Sequence, residues 1–178
     1  MGTVAIVDDN QGVLTALEVL LGINGHRTFS ARTPEAAIRL IECEPIDVLI
    51  QDMNFSRDTT SGVEGAELFH RVRAIEPDMP VILLTAWAQL ASAVELVKAG
   101  AADYLGKPWD DVKLLATVNN LIELRQLKRE NHAHKRAQIR RQSALASAHD
   151  LLGIVYGSVE MERLLELAVK VAPTDLSV

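Results

Sequence analysis

The chain carries one cysteine in 178 residues, Cys43. It can form no internal disulfide, which fits a reducing compartment. Its opening, MGTVAIVDDN, has no basic stretch and no long apolar core, so no secretory signal is expected. No apolar run approaches the ~20 residues that a bilayer helix needs. Positive charge is in deficit, with 18 Lys and Arg against 24 Asp and Glu and a net charge of -6. That argues against nonspecific nucleic-acid binding as the main task, and no DNA-binding element is recognisable. No G-x-x-x-x-G-K-[ST] stretch occurs, so this segment is not expected to hydrolyse ATP. From Asp110 to His149 there is neither proline nor glycine. The expected location is the cytoplasm.

What is present is apolar and strongly patterned. A hydrophobic content of 48% supports one good-sized domain, or one domain plus an extension. Strands are predicted over residues 3–7, 26–30, 46–51, 81–84 and 103–105. Between them lie helices over about 11–22, from Pro34 to Pro45, over 66–75 and over 88–98. Asn10 and Thr33 are placed to cap the first two helices, with Pro34 at the first helical position of the second. Ala36, Ala37, Leu40 and Ile41 are expected to face the sheet. Gly62 and Gly65 mark residues 54–65 as a loop, and Gly100 stops the fourth helix. Five strand–helix alternations imply an α/β fold, a doubly wound parallel sheet with helices on both faces.

A last helix is expected from Trp109-Asp110-Asp111 onward, as a long helical extension. Its stripe of Leu114, Val118, Leu121, Leu124 and Leu127 gives way to the polar KRENHAHKRAQIRRQ. With Leu124 and Leu127 at core heptad positions, Asn131 and His134 take the next two. A parallel dimer or a solvated spacer would follow. The expected organisation is a domain over 1–122, a helical linker over 123–150, and residues 151–178 as the start of a further domain. That last stretch should hold a turn at Tyr156-Gly157-Ser158, a helix stopped by Pro173, and a strand opening at Leu176-Ser177-Val178.

The chemistry lies at the strand ends. Asp8 and Asp9 close the first apolar run, Asp52 the third and Thr85 the fourth, while Lys107 follows the fifth. In an open parallel sheet those ends converge on one edge, where ligands bind. Alone, an Asp-Asp pair after a strand is ordinarily a cap or a solvated turn, and Thr85 or Lys107 alone says little. Together they describe a site. Three carboxylates repel one another unless a cation joins them, and hard oxygen donors suit Mg²⁺. Asp52 can attack phosphorus to form an acyl phosphate. Lys107 can pair with a phosphoryl oxygen, and the Thr85 hydroxyl can bond another.

The set Asp8-Asp9, Asp52, Thr85 and Lys107-Pro108 resembles the receiver domain of bacterial two-component response regulators, over about residues 1–122. The resemblance implies a flavodoxin-like, CheY-like sheet of order 2-1-3-4-5 and a sensor histidine kinase as phosphodonor to Asp52. It implies that Asn54 lends a backbone carbonyl to the metal and that Tyr104 reorients as Thr85 moves toward the phosphate. The helix after residue 110 and GIVYGSVEMERLLELAVKVAPTDLSV are similar to the junction before the ATPase domain of nitrogen-regulator-type activators. Those act on RNA polymerase carrying the alternative sigma factor, sigma-54. The implied protein is a homodimer through receiver helices and linker, and not itself an enzyme. An aspartyl-phosphate hydrolase shares the nucleophile and Mg²⁺ but wants a second acid two residues later, where this chain has Asn54. A degenerate module that is never phosphorylated would not need the full set. The loop MNFSRDTTSGVEG is long for a receiver, and Trp87 is large for a site rim.

Overall fold

The computed structural model describes residues 1–55, 62–85, 90–148, 154 and 158–172. Among the described residues five strands alternate with helices: β1 Thr3–Val7, α1 Gln11–Ile23, β2 Arg27–Ala31, α2 Pro34–Cys43, β3 Val48–Asp52, α3 Val63–Ile75, β4 Val81–Thr85, α4 Leu90–Lys98, β5 Asp103–Gly106 and α5 Asp111–Ala148. A further helix, α6, spans Val159–Val171. All four strand pairings are parallel, and the sheet order is β2-β1-β3-β4-β5.

The pleat divides each strand between two faces. On one face Val4, Ile6, Val48, Ile50, Ile82 and Leu84 pack with Leu14, Leu17 and Leu21 of α1 and Leu114, Val118 and Ile122 of α5. On the other, Ala5, Val7, Leu49, Val81 and Leu83 pack with residues of α2, α3 and α4, among them Ile41, Phe69 and Leu96. Burial on both sides explains the near-continuous apolar runs. Each buried Leu, Ile or Phe contributes about 1.5–3 kcal/mol by leaving water.

The local signals act as the sequence suggests at both caps. Asn10 Oδ1 accepts from Gly12 N at 2.8 Å, and Thr33 Oγ1 accepts from Ala36 N at 3.2 Å. Gly100 sits at φ +105°, a backbone that costs glycine little. On α2 the buried set is Ala37, Ile38 and Ile41; Ile38 joins the expected face, and Ala36 and Leu40 are its half-buried rim.

Other boundaries move. β2 begins at Arg27 rather than His26, and β3 at Val48 rather than Ile46. Asp47 stands outside the ladder yet extends it: its N donates to Thr3 O at 2.8 Å, and its Oδ2 accepts from Thr3 N at 2.9 Å. The third helix starts three residues earlier than expected, at Val63, and so takes in Gly65. Gly65 is no loop signal but a packing requirement. A Cβ there would lie 2.5 Å from Met53 Cα, so only glycine lets α3 close on the end of β3.

The chain divides into two compact units, Met1–Leu127 and Lys128–Val178. In the first, the buried stripe of α5 is Leu114, Val118, Ile122 and Arg125. Leu121 packs at its edge, while Leu124 and Leu127 are each 55% exposed. In the second, Ser158 caps α6 by accepting from Met161 N. Arg57, Asp58, Trp87, Ala88, Tyr156, Gly157, Pro173 and Leu176–Val178 lie outside the described residues. Among the described residues no helix is long and apolar enough to cross a membrane.

Candidate functional site

Strand order reverses at β1, whose two neighbours are β2 and β3. Ligands of doubly wound sheets bind beside such a switch, outside the carboxyl ends of the strands. The parallel register brings the expected residues there. Gln51 pairs with Val7 and Leu83, Asp52 with Leu84, and Thr85 with Gly106. Asp8 follows β1 directly, Asp52 and Thr85 end β3 and β4, and Lys107 follows β5.

One carboxylate oxygen from each of Asp8, Asp9 and Asp52 lies within 4.8 Å of the others. Lys107 Nζ bridges two of the three, at 2.6 Å from Asp8 Oδ2 and 3.0 Å from Asp52 Oδ1. Asp8 is fully buried and Asp52 nearly so. Asp8 is therefore not the helix cap, a role Asn10 fills. Main-chain donors complete the first contacts: Asn10 N to Asp8 Oδ1 at 2.9 Å, and Met53 N to Asp52 Oδ1 at 2.8 Å. Lys107 N donates to Thr85 O at 2.8 Å, fastening the two strand ends together.

Burial pushes the Asp52 carboxyl above its ordinary value, the Lys107 ammonium opposes that shift, and Asp8 adds to it. Among the described residues three carboxylates lie together with the Lys107 ammonium. Two like charges some 4 Å apart at a protein surface repel by about 4 kcal/mol. Lys107 is the ammonium that pairs with them, and one such charge does not balance three carboxylates. A divalent cation with hard oxygen preference would balance them, and the donor set fits one. Asp8, Asp9 and Asp52 are the side chains that would hold it.

Asn54 spends its side chain elsewhere, with Oδ1 accepting from Gly62 N at 3.1 Å. That contact ties the two ends of the long loop. Tyr104 is half-buried beside the core of α2, α3 and α4, opposite Leu83 in the register. Two residues of the site's surroundings were not expected. Gln51, fully buried, donates from Nε2 to Gly65 O at 2.8 Å and pins α3 beside the Asp52 strand. A polar residue in the apolar run Val48-Leu49-Ile50-Gln51 was the available signal. Arg32 donates to the main-chain oxygen of Asp9 at 2.9 Å. No periodicity or spacing points to it.

A parallel sheet of this order, with carboxylates and a lysine gathered at its switch point, places the chain among the doubly wound α/β proteins. The chain belongs to the response regulator receiver domain family, whose model matches residues 4–119. It is similar to the C4-dicarboxylate transport transcriptional regulatory protein DctD of Rhizobium meliloti, 26% identical over 99% of this chain and 36% of that protein. It is also similar to the transcriptional regulatory protein GlrR of Escherichia coli, 30% identical over 97% of this chain and 34% of that one. Among solved structures, the N-terminal signal receiver domain of a two-component response regulator from Bacteroides fragilis matches at 38% identity. Its TM-score is 0.62, covering 68% of this chain and 97% of that one. The chain spans about a third of the length of the two curated relatives.

Proposed function

We propose that Asp52 accepts a phosphoryl group from the phosphohistidine of a sensor histidine kinase. The observation that carries this is the Lys107 ammonium bridging Asp8 and Asp52, with Asp9 within reach of both. An Asp52 oxygen attacks phosphorus, the P–N bond to the donor imidazole breaks, and the imidazole nitrogen takes up a proton. Mg²⁺, when bound, would screen the charge between nucleophile and phosphoryl group. Asp8 and Asp9 would hold it with Asp52, and by the family resemblance the Asn54 main-chain carbonyl would be a further ligand. Lys107 then turns from the carboxylates to a phosphoryl oxygen, and Thr85 donates its hydroxyl to another, with Tyr104 following inward.

The chain is a substrate and switch in this reading, not an enzyme acting on a separate substrate. The hydrolase reading lacks its general acid, because Asn54 stands at that position and is committed to Gly62. Phosphorylation would rearrange a homodimer formed through the receiver helices and the linker. The half-exposed Leu124 and Leu127 supply the apolar contacts for it. The relatives' names support a transcriptional output; the resemblance of residues 151–178 to an activator junction extends the reading to an ATPase domain acting on polymerase with sigma-54, in the cytoplasm. The test is incubation with a phosphorylated kinase and Mg²⁺. Labelled phosphate should enter the wild type and not Asp52→Ala. Sedimentation with and without beryllofluoride should show a change of mass that Asp52→Ala abolishes.

A further inference from the structure

Two consecutive residues at the carboxyl end of β2 hold the main chain of the two consecutive aspartates. Ala31 O accepts from Asp8 N at 3.1 Å, which carries the β1–β2 ladder one residue past β1. Arg32 has left the sheet, and its guanidinium donates to Asp9 O at 2.9 Å. Asp9 precedes the cap residue Asn10, so its carbonyl lies outside the α1 ladder.

The two acids are held very differently. The Asp8 carboxylate is fully buried and fixed by Asn10 N and Lys107. The Asp9 carboxylate is half-exposed, and among the described residues no hydrogen bond fixes it. Its place in the carboxylate cluster therefore depends on where its backbone is held. That backbone is gripped by Arg32.

The geometry points to Arg32 as a positioning residue for the cation site, acting through Asp9. This rests on the metal reading of Asp8, Asp9 and Asp52 given above. Groups that orient a ligand from behind set much of a metal site's affinity. The guanidinium also carries a positive charge, which opposes cation binding. That repulsion is screened by salt at an exposed position, whereas a hydrogen bond's orienting effect is not. The two effects therefore predict opposite signs when the charge is removed.

The experiment is Mn²⁺ binding to the full chain, with free Mn²⁺ counted by electron paramagnetic resonance and Mg²⁺ as competitor. Arg32→Met keeps the apolar stem and loses both donors and charge. It should bind about tenfold more weakly, at the low end for such outer contacts because Arg32 is exposed. Arg32→Lys, which keeps a donor, should recover most of the loss. The deficit should persist in raised salt, and the cation-free melting temperature of Arg32→Met should match the wild type. Equal or tighter binding by Arg32→Met would overturn the assignment. So would a deficit that raised salt removes, or one matched by a lowered cation-free melting temperature. Wild-type protein that binds no Mn²⁺, or binds as Asp52→Ala does, would overturn the metal reading itself and this inference with it.

Discussion

At the residue scale, the site's behaviour follows from burial set against charge. Asp52 is raised above its ordinary value because it is buried, with Lys107 pulling the other way. The ionised form needed for attack is thus harder to reach than in an exposed aspartate. Phosphoryl uptake should fall as pH drops through a value above 3.8, and added Mg²⁺ should move that fall to lower pH. His26 works in the opposite sense and far from the site in sequence. It is 7% exposed. Burial first, and the N-terminal ammonium second, lower it below 6.5; contacts to Asn119 and the Gly2 main chain oppose them. A depressed folded value stabilises the fold above about 6.5, and that contribution is lost as pH falls through the folded value. The melting temperature of wild type should drop more between pH 7.5 and pH 5 than that of His26→Gln. Equal drops would refute this assignment of the acid sensitivity. Gly65 gives a third test. Alanine gains roughly 1 kcal/mol in helix propensity, but its Cβ would meet Met53 Cα at 2.5 Å and Met53 O at 2.7 Å. Main chain cannot swing aside, and overpacking costs about 1–3 kcal/mol or more. Urea unfolding of Gly65→Ala should show a net loss.

At the element scale, α5 shows how a helix's inner face is chosen. Its sequence offers a leucine stripe through Leu121, Leu124 and Leu127. The fold instead turns Ile122 and Arg125 inward. Arg125 is 3% exposed and pairs with Glu76 at 3.0 Å, joining α5 to the end of α3. Beside it Arg73, also on α3, donates to Pro77 O and Gly100 O and lies over the Phe69 ring. These contacts tie the inner face of α5 and the turn before β5 to the C-terminal end of α3. Glu76 is 46% exposed, so its loss is discounted for solvent. Glu76→Ala should still cost about 1–2 kcal/mol, because the Arg125 charge stays buried without its partner. Arg125→Met, which removes the charge and fills the space, should be near neutral. Denaturant unfolding of both would separate a partnering role from a packing one. If Arg125→Met lost more than Glu76→Ala, the guanidinium's other contacts would matter more than its pairing.

At the scale of the whole molecule, the first compact unit ends at Leu127, five residues beyond the point where the family resemblance was expected to stop. A chain ending at residue 127 should melt like the full receiver, whereas one ending at 122 lacks Arg125 and should melt lower. Calorimetry of the two would decide. The sequence was sufficient for the alternation of elements, the caps at Asn10 and Thr33, and the strand-end residues Asp8, Asp9, Asp52, Thr85 and Lys107. Those depend on local chemistry and on the rule that parallel strands deliver their carboxyl ends to one edge. It misread Gly65 as a loop signal, and it missed Arg32, Gln51 and Arg125. Gly65 is glycine because another segment's backbone crosses it. Arg32 and Arg125 earn their places by contacts 23 and 49 residues away along the chain. Periodicity and capping are carried by near neighbours and are written in the sequence. Which atom meets which across that separation is set only when the sheet and helices have packed, and there the tertiary structure decided.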